Sequence, residues 1–351
     1  MTTPLIARMV IDAQTQFMRA IEHLPGAGHE RPIGRLNSAG WVIAHAASTH
    51  DFWINVDCGG GEQDPWLAEW TVAQRALPSG DALPTSYGEA AEAFARVAER
   101  ATVFLEERAG PEADEVLAEF DGSDWEGTTT EYLVARSVAH LFAHASELSV
   151  IASLVLSEDR DLGLPGQLER SVGAGSEALE PGGELPVVVR LLLDARGEFR
   201  RVAAAAPVPA QRGAFARLSA GGWIVAHIAE QDDRYWNVHA QGGEPDEWLA
   251  AANVRFGDAE SAPDYARALE ALKASFERGL PFIEGLDGSE FDREVRKSRI
   301  AERGDQTIAD LLVLQATHLF GLAGELAAIS SLAGADDPGL PGRLRHVAGA
   351  R

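Results

Sequence analysis

Hydrophobic positions recur every three or four residues along much of the chain, which is the spacing of one buried face of a helix. The helical segments run roughly over 4–22, 38–57, 86–109 and 128–157 in the first half, and over 186–205, 220–239, 263–284 and 305–332 in the second. Convincing alternation of polar and apolar residues, which would indicate strands, is missing from the sequence. The pattern therefore predicts an all-α protein.

The two halves of the chain carry the same sequence pattern. RLNSAGWVIAHAAS, which begins at Arg35, is matched without a gap by RLSAGGWIVAHIAE, which begins at Arg217. AHLFAHASEL, which begins at Ala139, is matched by THLFGLAGEL, which begins at Thr317, at a slightly smaller offset along the chain. Repeats of this kind indicate one structural unit written twice.

Four helices in each half predict two tandem four-helix bundles. In the first half, a long connection rich in glycine and proline, 58–85, separates the second helix from the third. A connection of that length can cross one end of a bundle and make the helices that it joins parallel. We expect the first bundle over 1–165, a linker over 166–185, the second bundle over 186–342 and a tail over 343–351.

Composition narrows the class of protein. The chain has 351 residues, 46% of them hydrophobic, and a formal net charge of −24, with a pI near 4.7. Such a charge repels nucleic acid and anionic membrane surfaces, so neither is an expected partner. Charges come early at the amino terminus and no stretch approaches about 18–20 uninterrupted apolar residues, so we expect neither a signal peptide nor a membrane span. With Cys58 as its one cysteine, the chain has no internal disulfide, and we expect a soluble cytoplasmic protein.

Two histidines interrupt the apolar face of the last helix of the first half. His140 and His144 lie four residues apart, about one helical turn or roughly 6 Å, so their rings can approach a single point. His45 faces inward from the second helix. A lone inward histidine is usually a core residue that donates to a carbonyl group, but burying three of them costs several hydrogen bonds that a shared metal ion would replace. We therefore predict that His45, His140 and His144 are metal ligands.

The second half serves as an internal control. His227 and His318 occupy the first two ligand positions there, but Leu322 occupies the third. Two neutral nitrogens make a weak site, so we expect one metal ion per chain, in the first bundle. His50 and Asp51 are expected to face solvent. Glu147 lies one turn from His144, where its carboxylate could orient the imidazole or accept a proton. Because Glu325 occupies the equivalent position in the half that lacks the third histidine, a structural hydrogen bond between helices is an equally open alternative.

The order of these motifs resembles a known superfamily. Trp-x-x-x-His on a second helix, a long crossover, and His-x-x-x-His followed by a small residue, Glu and Leu on a fourth helix are typical of the DinB-like four-helix bundles. These include the YfiT-like enzymes and the amino-terminal domains of mycothiol-dependent maleylpyruvate isomerases. The resemblance extends over both halves. It implies a divalent ion such as zinc, nickel or iron on His45, His140 and His144, and a homodimer or, in this tandem chain, an internal pseudo-dimer.

Three function hypotheses follow from the predicted site and the resemblance. In the first, a metalloenzyme transfers a low-molecular-weight thiol of the mycothiol type to a small electrophilic substrate, or uses that thiol in an isomerisation, with Glu147 as the catalytic carboxylate. In the second, the metal acts without a thiol, either as a Lewis acid in an isomerase or cyclase or as iron in an oxidation. In the third, the chain is a non-catalytic protein with a structural metal.

Overall fold

A computed structural model describes residues 5–24, 31–107, 129–155, 185–213, 215, 218–255, 262–296 and 306–347. The chain divides into two compact units, the first formed by Met1–Ser171 together with Leu340–Arg351, and the second by Val172–Gly339. Helices dominate the described residues of both units, which confirms the all-α class. The predicted linker over 166–185 lies outside the described residues, except for Leu185.

The first unit is built on long helices that follow the predicted pattern. They are α1 (Leu5–Glu22), α2 (Ala39–His50), which continues as the π-helical segment π1 (Asp51–Cys58), α3 (Pro65–Arg75), α4 (Tyr87–Glu107) and α5 (Thr130–Val155). Helix α1 packs against α5, and α2 packs against both α4 and α5. Ser38 caps α2, because its side-chain oxygen accepts from the amide of Trp41 at 3.2 Å. Helices α2 and α5, which carry the three predicted ligands, are therefore direct neighbours.

The second unit repeats this pairing of helices. It contains α6 (Val187–Ala205), α7 (Val208–Gln211), α8 (Gly221–Asp232), the π-helical segment π2 (Asp233–Ala240), α9 (Glu247–Ala251), α10 (Tyr265–Glu284), the strands β1 (Glu294–Arg296) and β2 (Gln306–Thr307), and α11 (Ile308–Leu332). Helix α6 packs against α11, and α8 packs against α10 and α11. Strands β1 and β2 pair in antiparallel fashion.

Several elements differ from the sequence predictions. The connection 58–85 contains α3, which begins where Asp64 accepts from the amides of Trp66 and Leu67 and where Pro65 fills the first helical position. The short β1–β2 pair was not predicted either. The second helix of each unit ends in a π-helical turn, which apolar spacing does not reveal because π-helices shift the spacing by one residue.

The π1 segment surrounds a buried carboxylate. Asp51 is fully buried, so the prediction that it faces solvent is wrong. Its Oδ1 accepts from Arg100 at 2.6 Å and from the amide of Asn55 at 2.8 Å, and its Oδ2 accepts from the backbone N–H of Asp64 at 2.7 Å. Burial of this charge is compensated by three donors, one of them cationic. The carboxylate thereby fixes the end of π1 and the start of α3.

The π2 segment surrounds an equivalent carboxylate. Asp233 accepts from Arg278 at 2.7 Å and from Asn237 at 3.2 Å through Oδ1, and from the backbone N–H of Asp246 at 2.8 Å through Oδ2. Asp233, Asn237 and Asp246 follow Asp51, Asn55 and Asp64 by the same number of residues that separates Arg217 from Arg35. Arg278 follows Arg100 by the number that separates Thr317 from Ala139. The repeated positions therefore make the same contacts in both units.

Within the described residues, two helices are long and apolar enough to cross a membrane. They are α5 and α11, and 67% and 83% of their most apolar windows are buried inside the protein. Burial of this extent is typical of core helices in a water-soluble fold, because a membrane span would present its apolar surface to lipid. The two helices are compatible with a soluble protein.

We predict that Asp51→Ala destabilises the first unit by about 2–3 kcal/mol, because the substitution leaves a buried backbone N–H and a buried amide without their acceptor. The free energy of unfolding, measured by urea denaturation and circular dichroism, tests this. Glu69→Ala removes an exposed carboxylate on α3 and is the control, with an expected change below about 0.5 kcal/mol. Equal effects of the two substitutions would contradict the structural role of Asp51.

Candidate metal centre

Helices α2 and α5 bring three imidazole rings together in the first unit. The Nε2 atom of His140 lies 3.2 Å from the Nε2 atom of His45 and 3.2 Å from that of His144. One ring nitrogen from each of the three lies within 4.8 Å of the other two. His140 is buried, while His45 and His144 are partly exposed. Among the described residues, no other three His, Cys, Asp or Glu side chains converge in this way.

The spacing of these nitrogens fits a metal ion. Nitrogens bound at about 2.0–2.1 Å to a tetrahedral ion stand about 3.3 Å apart, close to the two measured contacts. Hydrogen bonds alone do not account for the cluster, because His140 Nε2 has room for one proton or one lone pair and faces two other nitrogens. A single cation could accept a lone pair from all three. The donor set, three neutral imidazoles, is also one that zinc, nickel and iron accept.

Burial keeps the first two rings of this trio neutral. Burial, followed by the nearby His144, lowers the pKa of His45 to about 3. Burial and the neighbouring His144 and His45 hold the pKa of His140 well below its usual value. Neutral imidazoles expose the lone pairs that a metal requires, so this environment favours cation binding near neutral pH.

Glu147 contacts the third ring of the trio. Its Oε2 lies 2.8 Å from Nδ1 of His144, one turn away on α5. A carboxylate at this distance accepts the Nδ1 proton and leaves Nε2 with its lone pair directed at His140. The side chains of His144 and Glu147 are 13% and 18% exposed, so this side of the cluster reaches solvent.

Aromatic rings support the trio from outside. Trp41 stacks on His45 with the ring centroids 4.9 Å apart and the planes 10° from parallel. Trp53 contacts His140 edge-on at 5.4 Å, and the guanidinium of Arg136 lies over the Trp53 ring. Such packing restricts the rotation of both imidazoles. The ring orientations therefore depend on neighbouring side chains as well as on the helix backbones.

His50 lies in the core, and the prediction that it faces solvent is wrong. It is 1% exposed. Its Nδ1 contacts Oγ of Ser137 at 2.5 Å, its Nε2 contacts the amide nitrogen of Gln14 at 2.8 Å, and Gln14 in turn accepts from Thr102 at 2.9 Å. This chain of hydrogen bonds joins α1, α2, α4 and α5 next to the trio. We refer to it below as the His50 network.

A comparison of the two halves of the sequence could have indicated the His50 network. At the repeat offsets, Gln14, His50 and Ser137 correspond to Arg196, Asp232 and Gln315. Arg196 donates to Asp232 at 2.6 Å, so a buried ion pair replaces the imidazole–amide contact. Paired changes at two positions of the repeat indicate that the two positions are in contact.

The second unit has histidines at only two of the three positions that correspond to the trio. Nε2 of His227 lies 3.1 Å from Nε2 of His318, but the third position is the buried Leu322. Nδ1 of His227 donates to the carbonyl of Val254 at 2.6 Å, so its Nε2 carries the lone pair, and the amide of Gln231 lies 2.9 Å from that nitrogen. Protein donors therefore already engage the nitrogen that a metal would need.

A fixed positive charge also lies near this pair. Burial lowers the pKa of His227 to about 4, an effect that its backbone hydrogen bond to Val254 opposes and the charge of Arg234 reinforces. Burial, then His227 and Arg234, hold the pKa of His318 well below its usual value. A guanidinium close enough to act on both rings repels a metal cation. Leu322 and Arg234 together disfavour a metal in the second unit.

Comparison with known proteins agrees with the resemblance found in the sequence. Residues 218–320 match the family model of the DinB superfamily. The match lies within the second unit and includes His227 and His318, and it supports a DinB-like assignment. Neither the curated proteins nor the solved structures contained a match to the chain. The trio of the first unit lies outside the matched residues, so the role of His45, His140 and His144 as ligands remains a prediction.

We predict that the neutral, buried His50 makes the first unit acid-sensitive. Burial lowers its pKa to about 3. A histidine with a depressed folded pKa stabilises the fold above the unfolded value near 6.5, and this stability is lost as the pH falls from there toward the folded value. Between pH 7 and pH 5, His50 alone accounts for a loss of about 2 kcal/mol.

His50→Asn removes this titration, so the free energy of unfolding should fall less steeply between pH 7 and pH 5 than in the wild type. Urea denaturation with a chelator present measures the slope without a contribution from bound metal. His23→Asn, at an exposed position, is the control and should keep the wild-type slope. An unchanged slope in His50→Asn would show that His50 is not buried in its neutral form.

Proposed function

We propose that the chain is a tandem duplication of a DinB-like four-helix bundle. Three observations support this: the sequence repeat at two fixed offsets, the same pairing of long helices in both units, and the same contacts of Asp51 and Asp233 with their asparagine, arginine and backbone partners. The match of 218–320 to the DinB superfamily supports the assignment for the second unit. On this basis the protein acts in the cytoplasm on a small molecule.

The first unit binds one divalent ion through His45, His140 and His144. The observation that carries this proposal is the pair of 3.2 Å contacts between their Nε2 atoms. Zinc, nickel and iron all accept three imidazoles. Three protein ligands on one side of an ion leave a position for water or substrate, which distinguishes catalytic sites from closed structural ones.

The reaction that best fits such a site is transfer of a low-molecular-weight thiol to an electrophilic small molecule, or an isomerisation that uses the thiol. A divalent ion supplies one chemical effect, which is to favour the thiolate over the thiol at neutral pH. Glu147 holds the Nδ1 proton of His144 and so directs the Nε2 lone pair into the cluster. Its carboxylate is also partly exposed, so in this proposal it takes up the thiol proton.

The metal stoichiometry should be one ion per chain. His140→Ala removes the central nitrogen of the trio, so we expect it to abolish metal retention. His318→Ala is the equivalent substitution in the second unit and should leave the bound metal unchanged. Metal content after dialysis, measured by inductively coupled plasma mass spectrometry, checks both variants. Two ions per chain, or one ion retained by His140→Ala, would contradict the assignment.

Thiol-dependent turnover should require both the metal and Glu147. The assay follows displacement of chloride from chlorodinitrobenzene by mycothiol, cysteine or glutathione, in which a C–S bond forms and chloride and a proton leave. We expect turnover with at least one thiol, loss on chelation, and recovery when metal is returned. Turnover that survives chelation would remove the metal from the mechanism.

Glu147→Gln tests the carboxylate in the same assay. Loss of its charge weakens its hold on His144, so we expect metal affinity to fall about tenfold or more, with a lower kcat at saturating metal. Glu325→Gln changes the equivalent glutamate of the second unit and should leave both quantities unchanged. Equal behaviour of the two variants would restrict Glu147 to a structural role.

A further inference from the structure

The second unit contains a cavity of about 400 Å³ beside π2 and α9. This volume is within the range of small-molecule sites, roughly 300–1,000 Å³. Val238, Leu249 and Val295 supply part of its apolar lining. Its charged lining consists of Glu230, Asp233, Arg234, Asp246 and Arg255. The accessible groups among these five decide which ligand the cavity can accept.

The two aspartates of the lining are already engaged. Asp233 and Asp246 both pair with Arg278, at 2.7 Å and 3.5 Å. Asp246 also caps α9, because its Oδ1 accepts from the amides of Trp248 and Leu249. The arginine and the backbone amides at the start of α9 thus offset part of their negative charge.

Glu230 holds the two remaining cations side by side. Its Oε1 accepts from Nε of Arg255 at 2.8 Å, and its Oε2 lies 3.5 Å from a terminal nitrogen of Arg234. The glutamate side chain is 5% exposed, whereas the Arg234 and Arg255 side chains are 24% and 49% exposed. The carboxylate is therefore buried behind two guanidinium groups, whose accessible charge is positive. Asp246 elsewhere in the lining is 22% exposed and is paired with Arg278.

The first unit lacks this arrangement in its sequence. The first unit has Ser48, Phe52 and Ala73 at the positions that correspond to Glu230, Arg234 and Arg255. This correspondence uses the offset that relates Arg35 to Arg217. All three charges are therefore specific to the second unit. The second unit also has Leu322 in place of the third histidine. The unit without the full trio is therefore the one that has Arg234 and Arg255 beside the cavity.

We propose that the cavity of the second unit binds a small organic oxyanion, a carboxylate or a phosphate ester, through Arg234 and Arg255. Guanidinium groups bind both kinds of oxyanion through pairs of parallel N–H donors. Glu230 fixes the two groups in place, which lowers the entropy lost on binding. Val238, Leu249 and Val295 contact the carbon part of the ligand. The second unit is thereby a ligand-binding module that works without a metal.

Isothermal titration calorimetry of the full chain tests this site with succinate, inorganic phosphate and neutral succinamide as probes. We expect succinate or phosphate to bind, with an affinity that falls as the salt concentration rises, and succinamide to give no signal. Stronger binding of succinate than of phosphate identifies a carboxylate site, and the reverse order identifies a phosphate site.

Arg255→Ala should weaken binding about tenfold or more, since the loss of one charge-assisted contact of about 1.4 kcal/mol corresponds to tenfold. Arg234→Phe, which introduces the residue of the first unit, should abolish binding. Arg267→Ala removes an exposed arginine from α10 outside the cavity and should bind like the wild type. Arg255 is half exposed, so its substitution tests the site even if Arg234→Phe fails to fold.

Two results would overturn the proposal. One is the absence of a signal with both anions at millimolar concentration. The other is equal binding by Arg255→Ala and Arg267→Ala, which would place the anion elsewhere, including at the histidines of the first unit. This test is independent of the proposed metal site. His140→Ala, which removes that site, should bind the anion as the wild type does.

Discussion

Burial of neutral imidazoles is the constraint on which the first unit depends. A ring nitrogen that is removed from water must find a partner for its proton or its lone pair. His144 meets this requirement through Glu147, and His50 meets it through Ser137 and Gln14. In the trio, Nε2 of His140 faces Nε2 of both His45 and His144. With one proton or one lone pair, it cannot serve as the partner of both. An electron-pair acceptor such as a divalent cation could satisfy all three nitrogens at once, because they lie close enough together to hold one ion.

The two units keep the same frame and differ in how charge is distributed inside it. The frame is the buried aspartate at the start of each π-helical segment, with its arginine on the neighbouring long helix. Within it, the neutral contact between Gln14 and His50 becomes the ion pair of Arg196 and Asp232. A frame held by an independent network tolerates such exchanges, because the network fixes the helix ends whichever residues fill the core. The two units can thus share helix pairings while the residues inside them differ in charge.

Apolar periodicity predicted the long helices well, because each buries a continuous face. It also placed His45, His140 and His144 on the inward faces, since a four-residue spacing on a helix leaves little choice of direction. The same rule failed for His50, which follows His45 by five residues. Helical geometry turns that position away from the trio, but its side chain enters the core between α1 and α5. Burial of a polar residue depends on partners from distant segments, which local spacing does not contain.

The other misjudged features have the same origin. Asp51 is typical of an exposed helix end by composition, yet a cation 49 positions away and a backbone amide 13 positions away make its burial favourable. Helix α3 had a local signal, the capping Asp64 followed by Pro65, that the surrounding glycines obscured. The π-helical turns are harder to foresee, since the extra residue in each is stabilised by contacts of the aspartate that begins it and not by the propensities of the turn itself.

The contacts of His227 and His318 indicate that a third imidazole alone would not make a good metal site in the second unit. If Leu322 were a histidine, the nitrogen of His227 would still face the amide of Gln231, and the guanidinium of Arg234 would still act on both rings. A cation entering there would have to displace one donor and approach one fixed positive charge. In the first unit the position of Arg234 is occupied by the uncharged Phe52. Arg136 acts on His140 there in the same direction, but the carboxylate of Glu147 contacts His144 and supplies an opposite charge. The charges around the nitrogens therefore matter to a cation as well as the number of nitrogens.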